Sequence, residues 1–182
     1  METKITLILL AVNWALSAQV ITSRNVTLSF FSSAPIEDIE AKSTDGVSAI
    51  NLTSRSIYFK VPIRSFQFKK SLMQEHFNEN YMESDKYPFA EFNGVINESV
   101  DFSKDGSYPV TAQGDLKIHG VSKHYTVNAK LFIAQGKITA DSSFPVRLEN
   151  HNVKIPRLVI KNIAEVVQVT VSVVYNSKDG PL

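Results

Sequence analysis

Strict alternation of apolar and polar residues over unusually long segments limits the fold of this chain more than any other feature. The longest such segment has Tyr108, Val110, Ala112, Gly114, Leu116 and Ile118 at every second position. Successive side chains of a β-strand point to opposite faces, so this spacing predicts one long strand with an apolar and a polar face.

The same alternation recurs along most of the sequence. It predicts clear strands at 26–30, 57–64, 125–133, 138–148 and 167–176, and weaker ones at 46–52 and 89–97. Breaks at 120–123 and at Gln135–Gly136 predict hairpins between the central strands. Eight antiparallel strands most simply close on themselves, because closure removes exposed edges. We therefore predict an all-β fold, an antiparallel eight-stranded β-barrel.

Two segments depart from the alternation and predict two short helices. Segment 35–41 starts with proline and carries three acidic residues, as expected near a helix N-terminus. Segment 69–81 sets Leu72 and Met73 one helical turn before Phe77. We expect the helices to lie at the ends of the barrel.

The first eighteen residues have the layout of a secretory signal peptide. Lys4 precedes an apolar run at 5–12, and the small residues Ala15, Ser17 and Ala18 follow. The run is shorter than the roughly 20 residues needed to cross a bilayer, so a membrane-spanning segment is not predicted. We expect residues 1–18 to be removed and residues 19–182 to form one periplasmic or secreted domain.

Charge and composition exclude several classes of protein. The chain has 19 Lys and Arg against 18 Asp and Glu, a net charge of +1, with no basic stripe, so nucleic acid is not an expected partner. It has no cysteine, so disulfides cannot stabilise it and its core must do so alone.

Small residues on the apolar faces of the central strands favour a hollow barrel. They are Ala112, Gly114, Ala129, Ala140 and Ser142. A barrel of about eight strands is either filled by its side chains or holds one small ligand, and an unfilled interior costs roughly 24 cal/mol per Å³. The alternative is that bulky neighbours fill the room, namely Phe59, Phe66, Phe68 and Phe92.

Two sequence segments together resemble the YceI family. The first reads EHFNENYMES at 75–84, followed by KYP at 86–88 and FNG at 92–94, and the second reads GDLKIHGVSK at 114–123. The resemblance covers residues 20–176. It implies a lipocalin-like barrel, exported to the periplasm in bacteria, whose interior holds a polyisoprenoid chain such as that of a quinone or a prenyl phosphate. Lys117 and Ser122 stand where threonine is common in the family, and both lie off the apolar face.

These observations predict a lipid-binding protein that stores or transports a long apolar molecule and is not an enzyme. No cofactor is expected beyond a bound isoprenoid lipid or quinone, and the oligomeric state stays open, with a dimer among the options. The ligand-binding residues are expected to be apolar and to line the interior: Phe59, Val61, Leu72, Met73, Phe77, Leu116, Ile118, Val127, Leu131, Phe144, Val169 and Val171.

Catalytic and metal sites are not predicted. His76 lies between Glu75 and Glu79, but no second histidine follows at the spacing of a helical zinc site. We expect His119 to organise backbone hydrogen bonds beside the turn at Gly120. His124 and His151 are expected to be exposed residues of a strand and a loop.

Two alternative functions stay open at this point. An outer-membrane barrel of eight strands would show a similar alternation, although the chain ends in KDGPL instead of an aromatic-terminated strand. A periplasmic stress-related or structural barrel with a packed centre would bind no lipid.

Overall fold

The computed structural model describes residues 19–33, 38–154 and 164–176, and within them eleven antiparallel strands form one strongly curled sheet. The predicted signal peptide at 1–18 lies outside the described residues. The strands are β1 Val20–Ser23, β2 Val26–Ser32, β3 Ile39–Ser43, β4 Val47–Asn51, β5 Ser56–Pro62, β6 Gln67–Phe68, β7 Phe89–Ile96, β8 Gly106–Ile118, β9 Val121–Ala134, β10 Lys137–Arg147 and β11 Val166–Asn176.

The order of the strands shows why the sheet curls. It runs β1-β4-β5-β7-β8-β9-β10-β11-β2-β3-β6, so β1 and β2 occupy distant positions although only Arg24 and Asn25 separate them in the chain. At that junction the amide of Val174 in β11 donates to the Asn25 carbonyl at 3.0 Å, and Ser23 Oγ donates to the Val174 carbonyl at 2.5 Å. The sheet therefore bends round until β11 meets the junction of β1 and β2.

The prediction of eight strands is wrong, because three long extended stretches of chain are each interrupted and form two strands. Ser23 of β1 pairs with Ser48 of β4. Five positions away on each stretch, Leu28 of β2 pairs with Ser43 of β3, so the register is the same on both sides of the break. A 3₁₀ turn at Ile63–Ser65 likewise separates β5 from β6. The short strands β1, β3 and β6 were not predicted from the sequence.

Serine side chains satisfy backbone and side-chain groups at these breaks. Ser23 Oγ accepts from the amide of Asn25 at 3.0 Å. Ser65 Oγ donates to the Pro62 carbonyl and lies 2.6 Å from Ser43 Oγ, which also accepts from the amide of Asp45. Serine hydroxyls can offer the backbone hydrogen bonds in place of strand pairing, and these serines provide such bonds at the breaks.

One of the two predicted helices is present. Helix α1 covers Ser71–His76 and continues as a π-helical turn at Phe77–Tyr81, within the predicted segment 69–81. The prediction of a helix at 35–41 is wrong where the structure describes it, because residues 39–41 belong to β3 and pair with β2. Pairing with β2 outweighs the preference for a helix start that the acidic residues indicate. Residues 34–37 lie outside the described residues.

The largest buried cluster lies at the end of the curled sheet away from α1. It contains the inward residues of β1, β2, β4, β7, β8, β9, β10 and β11: Ile21, Val26, Ile50, Ile96, Val110, Leu131, Ile133, Ile138, Val173 and Tyr175. These side chains are at most 4% exposed, so this end of the interior is solid.

Two glycines bring β7 and β8 unusually close together. Gly94 and Gly114 are direct partners across the pair. A Cβ atom on Gly114 would lie 2.1 Å from the Asn93 carbonyl oxygen and 2.4 Å from the Gly94 Cα. Both contacts are to backbone, so neither neighbour can move aside cheaply, and this position requires glycine.

Gly114→Ala should therefore destabilise the fold, with a loss of roughly 1–3 kcal/mol in the free energy of unfolding, as expected for overpacking. Urea titration followed by circular dichroism measures it. Gln113→Ala, at the exposed neighbouring position of β8, is the matched control and should stay within about 0.5 kcal/mol of the wild type. Equal stability of the two variants would show that β7 and β8 separate without cost.

Candidate ligand-binding cavity

The curled sheet encloses a cavity of about 550 Å³ next to the solid end. This volume lies within the range of about 300–1,000 Å³ that is typical of small-molecule sites. Aliphatic and aromatic side chains from the inward faces of the strands supply most of its wall. The side chains of the residues that the structure describes therefore do not fill the interior.

The structure places all twelve predicted lining residues around this cavity. Nine come from strands: Phe59 and Val61 on β5, Leu116 and Ile118 on β8, Val127 and Leu131 on β9, Phe144 on β10, and Val169 and Val171 on β11. Leu72, Met73 and Phe77 come from α1 and the π-helical turn. Their contact with a ligand remains a prediction.

The cavity opens beside α1. Leu72 borders the cavity and is still 59% exposed, so the interior reaches the protein surface there. Lys60 and Glu91 also border the cavity and form an ion pair at 3.6 Å, which leaves neither charge unpaired. The side of the cavity with α1 is thus its mouth.

Four phenylalanines form an aromatic cluster under α1, and the sequence predicts only one of them, Phe77, as a residue of the site. Phe77 stacks on Phe30 at 5.5 Å between ring centroids and meets Phe66 and Phe68 at 5.8 and 5.0 Å. All four border the cavity. The alternation of Phe30 with Thr27 and Ser29 indicates that Phe30 lies on the apolar face of its strand. For Phe66 and Phe68 the sequence suggests only that they could fill the interior.

The closed end of the cavity has a floor made by residues of the solid cluster. Ile50, Ile96, Val110, Leu131 and Tyr175 belong to that cluster and also border the cavity. Ser48 Oγ donates to the Tyr58 carbonyl at 2.8 Å, so the Tyr175 hydroxyl, 2.5 Å away, donates to Ser48. Burial raises the pKa of Tyr175, which keeps this hydroxyl protonated.

The small residues that suggested a hollow interior have two different roles. Ala112, Ala129, Ala140 and Ser142 border the cavity, where larger side chains would fill it. Gly114 instead serves the close approach of β8 to β7. The bulky residues Phe59, Phe66, Phe68 and Phe92 form part of the wall and do not fill the space.

The polar residues of the two sequence motifs meet at the turn between β8 and β9. His119 and Gly120 both have positive φ, 50° and 75°, as in a two-residue hairpin turn. The His119 ring bonds the His151 carbonyl at 3.3 Å and the Glu83 carboxylate at 2.8 Å, and Tyr87 packs on it edge-to-face. The expectation that His119 organises backbone hydrogen bonds is confirmed.

His151 is buried, and the prediction that it is exposed is wrong. It is 0% exposed and stacks on Tyr125. Nδ1 lies 3.0 Å from the Val121 carbonyl, which can only accept, so Nδ1 donates and Nε2 accepts from the Tyr125 hydroxyl at 3.0 Å. Two satisfied ring nitrogens and the aromatic contact allow this histidine to lie in the interior. His124, by contrast, is exposed as predicted.

Metal ligands do not gather in the part of the chain that the structure describes. There, no group of three or more histidine, aspartate or glutamate side chains is close enough to hold an ion. His76, Glu75 and Glu79 are all exposed on α1 and its continuation. Across the same residues, no helix is long and apolar enough to span a membrane.

Comparison with protein families identifies the fold. A profile of the YceI-like domain matches residues 16–175, most of the chain. The chain belongs to the YceI-like domain family. The resemblance seen in the two motif segments is thereby confirmed. Comparison with curated protein sequences finds no match.

Several solved structures share this YceI-like fold. A polyisoprenoid binding domain from Saccharophagus degradans implicated in plant cell wall breakdown has 13% identity and a TM-score of 0.74, with 91% of this chain and 100% of that chain covered. Burkholderia cenocepacia BcnA has 16% identity and a TM-score of 0.71, covering 82% and 95%. A Campylobacter jejuni YCEI protein has 15% identity and a TM-score of 0.56, covering 95% and 90%. Identities this low establish the shared fold alone.

The buried His151 makes the stability of this YceI-like domain depend on pH. Burial lowers the pKa of His151, with the charge of Lys123 acting in the same direction. The unfolded chain then takes up a proton at a higher pH than the folded one, so stability falls as the pH drops below the ordinary histidine value of about 6.5.

His151→Asn removes the titrating group and keeps an amide near the Val121 carbonyl. The free energy of unfolding is measured by urea titration at several pH values between about 7.5 and about 5, the range in which histidine changes charge. It should fall more steeply with decreasing pH in the wild type than in the variant. Parallel curves would mean that His151 bears its charge in the folded state without penalty.

Proposed function

We propose that this protein binds a long apolar molecule of the polyisoprenoid type inside its curled sheet, for storage or transport, and acts as a binding protein without catalysing a reaction. The observation that carries the proposal is the apolar cavity of about 550 Å³ with a closed floor and a mouth at α1. A cavity of that shape suits a molecule that is apolar over most of its length.

The energetics of such a site favour a hydrocarbon tail. Each Å² of apolar surface removed from water contributes roughly 25 cal/mol, and the wall offers almost continuous aliphatic and aromatic contact. A polar ligand would lose its hydrogen bonds to water without finding enough partners there. The polyisoprenoid binding domain from Saccharophagus degradans, which has the same fold, is consistent with this ligand class.

The distribution of polar residues supports a ligand inside the sheet. Lys117, Lys123, Lys130 and Arg147 are exposed on the outer faces of β8, β9 and β10, whereas the inner faces of these strands are apolar. An outer-membrane barrel has the opposite arrangement, with an apolar band outside and a polar interior. The proposal therefore places the lipid in the cavity.

Solvent extraction of the protein, purified in its native state without detergent, tests the proposal. Mass spectrometry of the extract should find an isoprenoid lipid or quinone in near-stoichiometric amount. Leu116→Asp and Val127→Asp place a carboxylate on the wall, and retained lipid should fall at least tenfold, because burying an unpaired charge is costly. An extract without apolar ligand would contradict the proposed function.

Matched variants separate loss of binding from loss of folding. Thr126→Asp introduces the same carboxylate next to Val127 but on the exposed face of β9, and it should retain lipid like the wild type. Val171→Asp, at a half-buried wall position on β11, provides a second wall variant if Val127→Asp does not fold. Lipid retention in folded wall variants equal to that of Thr126→Asp would exclude this lining.

Export to the periplasm or out of the cell is part of the same proposal and rests on the sequence of residues 1–18. Expression of the full chain in a bacterium that exports by signal peptides should give a mature protein beginning near residue 19. Intact-mass measurement of the periplasmic fraction checks this. Full-length protein confined to the cytoplasm, with Met1 retained, would refute export.

A further inference from the structure

We infer that the floor of the cavity sets the longest isoprenoid tail that this protein accepts, and that Leu131 and Ala140 together fix that limit. The inference rests on the proposed function. It assigns a specificity role to two residues on neighbouring strands, β9 and β10.

The floor closes the cavity because further apolar side chains lie packed behind it. Leu131, Ile50 and Tyr175 face the cavity and belong to the solid cluster. Within the described chain, Ile133 and Ile138 belong to that cluster without reaching the cavity surface. A tail that reaches the floor therefore has no free space ahead of it.

Leu131 and Ala140 are partners across β9 and β10, and both border the cavity at this end. Leu131 is only 2% exposed and carries most of the side-chain volume of the pair. Shortening Leu131 would lower the floor, and enlarging Ala140 would raise it. Because the residues are partners, exchanging their sizes would leave the total volume nearly unchanged.

A closed floor gives a characteristic dependence on tail length. A tail that fits is surrounded by apolar side chains as it would be in a bilayer, so its preference for the protein over a membrane does not change with length. Once the tail exceeds the cavity, each additional methylene protrudes into water and costs about fourfold in occupancy. The length at which occupancy falls therefore measures the depth of the cavity.

A competition experiment measures that length directly. The protein, stripped of bound lipid, is equilibrated with phosphatidylcholine vesicles that contain geraniol, farnesol, geranylgeraniol and longer all-trans prenols together. Mass spectrometry then gives, for each prenol, the ratio of protein-bound to vesicle-bound molecules. We expect this ratio to be level for short prenols and to fall steeply beyond one length in the wild type.

Two single variants and their combination test the role of the floor. Leu131→Ala should move the fall to longer prenols, Ala140→Leu should move it to shorter ones, and the double variant should return it near the wild-type position. Circular dichroism verifies folding. Should Leu131→Ala not fold, Val110→Ala shortens another residue of the same floor and should shift the limit in the same direction.

The outcomes distinguish this inference from the proposed function. Binding of prenols with no fall at any length, or a fall that stays at the same length in the folded variants, overturns the role of the floor and leaves the proposed function standing. No uptake of any prenol by the wild type overturns the proposed function and the inference with it.

Discussion

The pairing of one stretch of chain, residues 20–32, with partners on both sides fixes the shape of this molecule. Its first half pairs with β4 and its second half with β11, while only two residues connect the halves. Strands that far apart in the sheet order can share one stretch of chain only if the sheet bends round. Backbone hydrogen bonding therefore creates an interior, and the alternation of the sequence then decides which side chains face it.

The interior combines a packed region with an empty one. At the closed end, large aliphatic side chains and Tyr175 pack together and exclude water, and each is at most 4% exposed. Next to this closed end, Ala112, Ala129 and Ala140 border the cavity and leave space that forfeits dispersion contacts. With no cysteine to form a disulfide, the closed end must supply much of the stability that the cavity gives up. The cavity and the packed cluster thus lie along the same strands and meet at the floor residues.

Period-two alternation sufficed to predict the long strands and their inward residues, because a strand's two faces follow directly from the sequence. It could not predict the breaks, since these depend on Ser23, Ser43 and Ser65 finding hydrogen-bond partners that are distant in the chain. The acidic residues of segment 35–41 favour a helix in the sequence, although residues 39–41 belong to β3 and pair with β2. The prediction that His151 is exposed is wrong for the same reason, because its partners Tyr125 and Val121 lie on β9, distant in the chain.

The two family motifs contain residues of the cavity wall and residues that hold the β8–β9 turn, but not the residues of the cavity floor. Phe77 and Leu116 belong to the motif segments and border the cavity, while Glu83 and His119 from the same segments hold the β8–β9 turn against the chain that follows α1. The floor residues, Leu131 among them, lie outside both segments. A sequence can therefore keep the motifs that define the family and still change the space available to a ligand. Ligand choice within this fold must be read from the cavity itself.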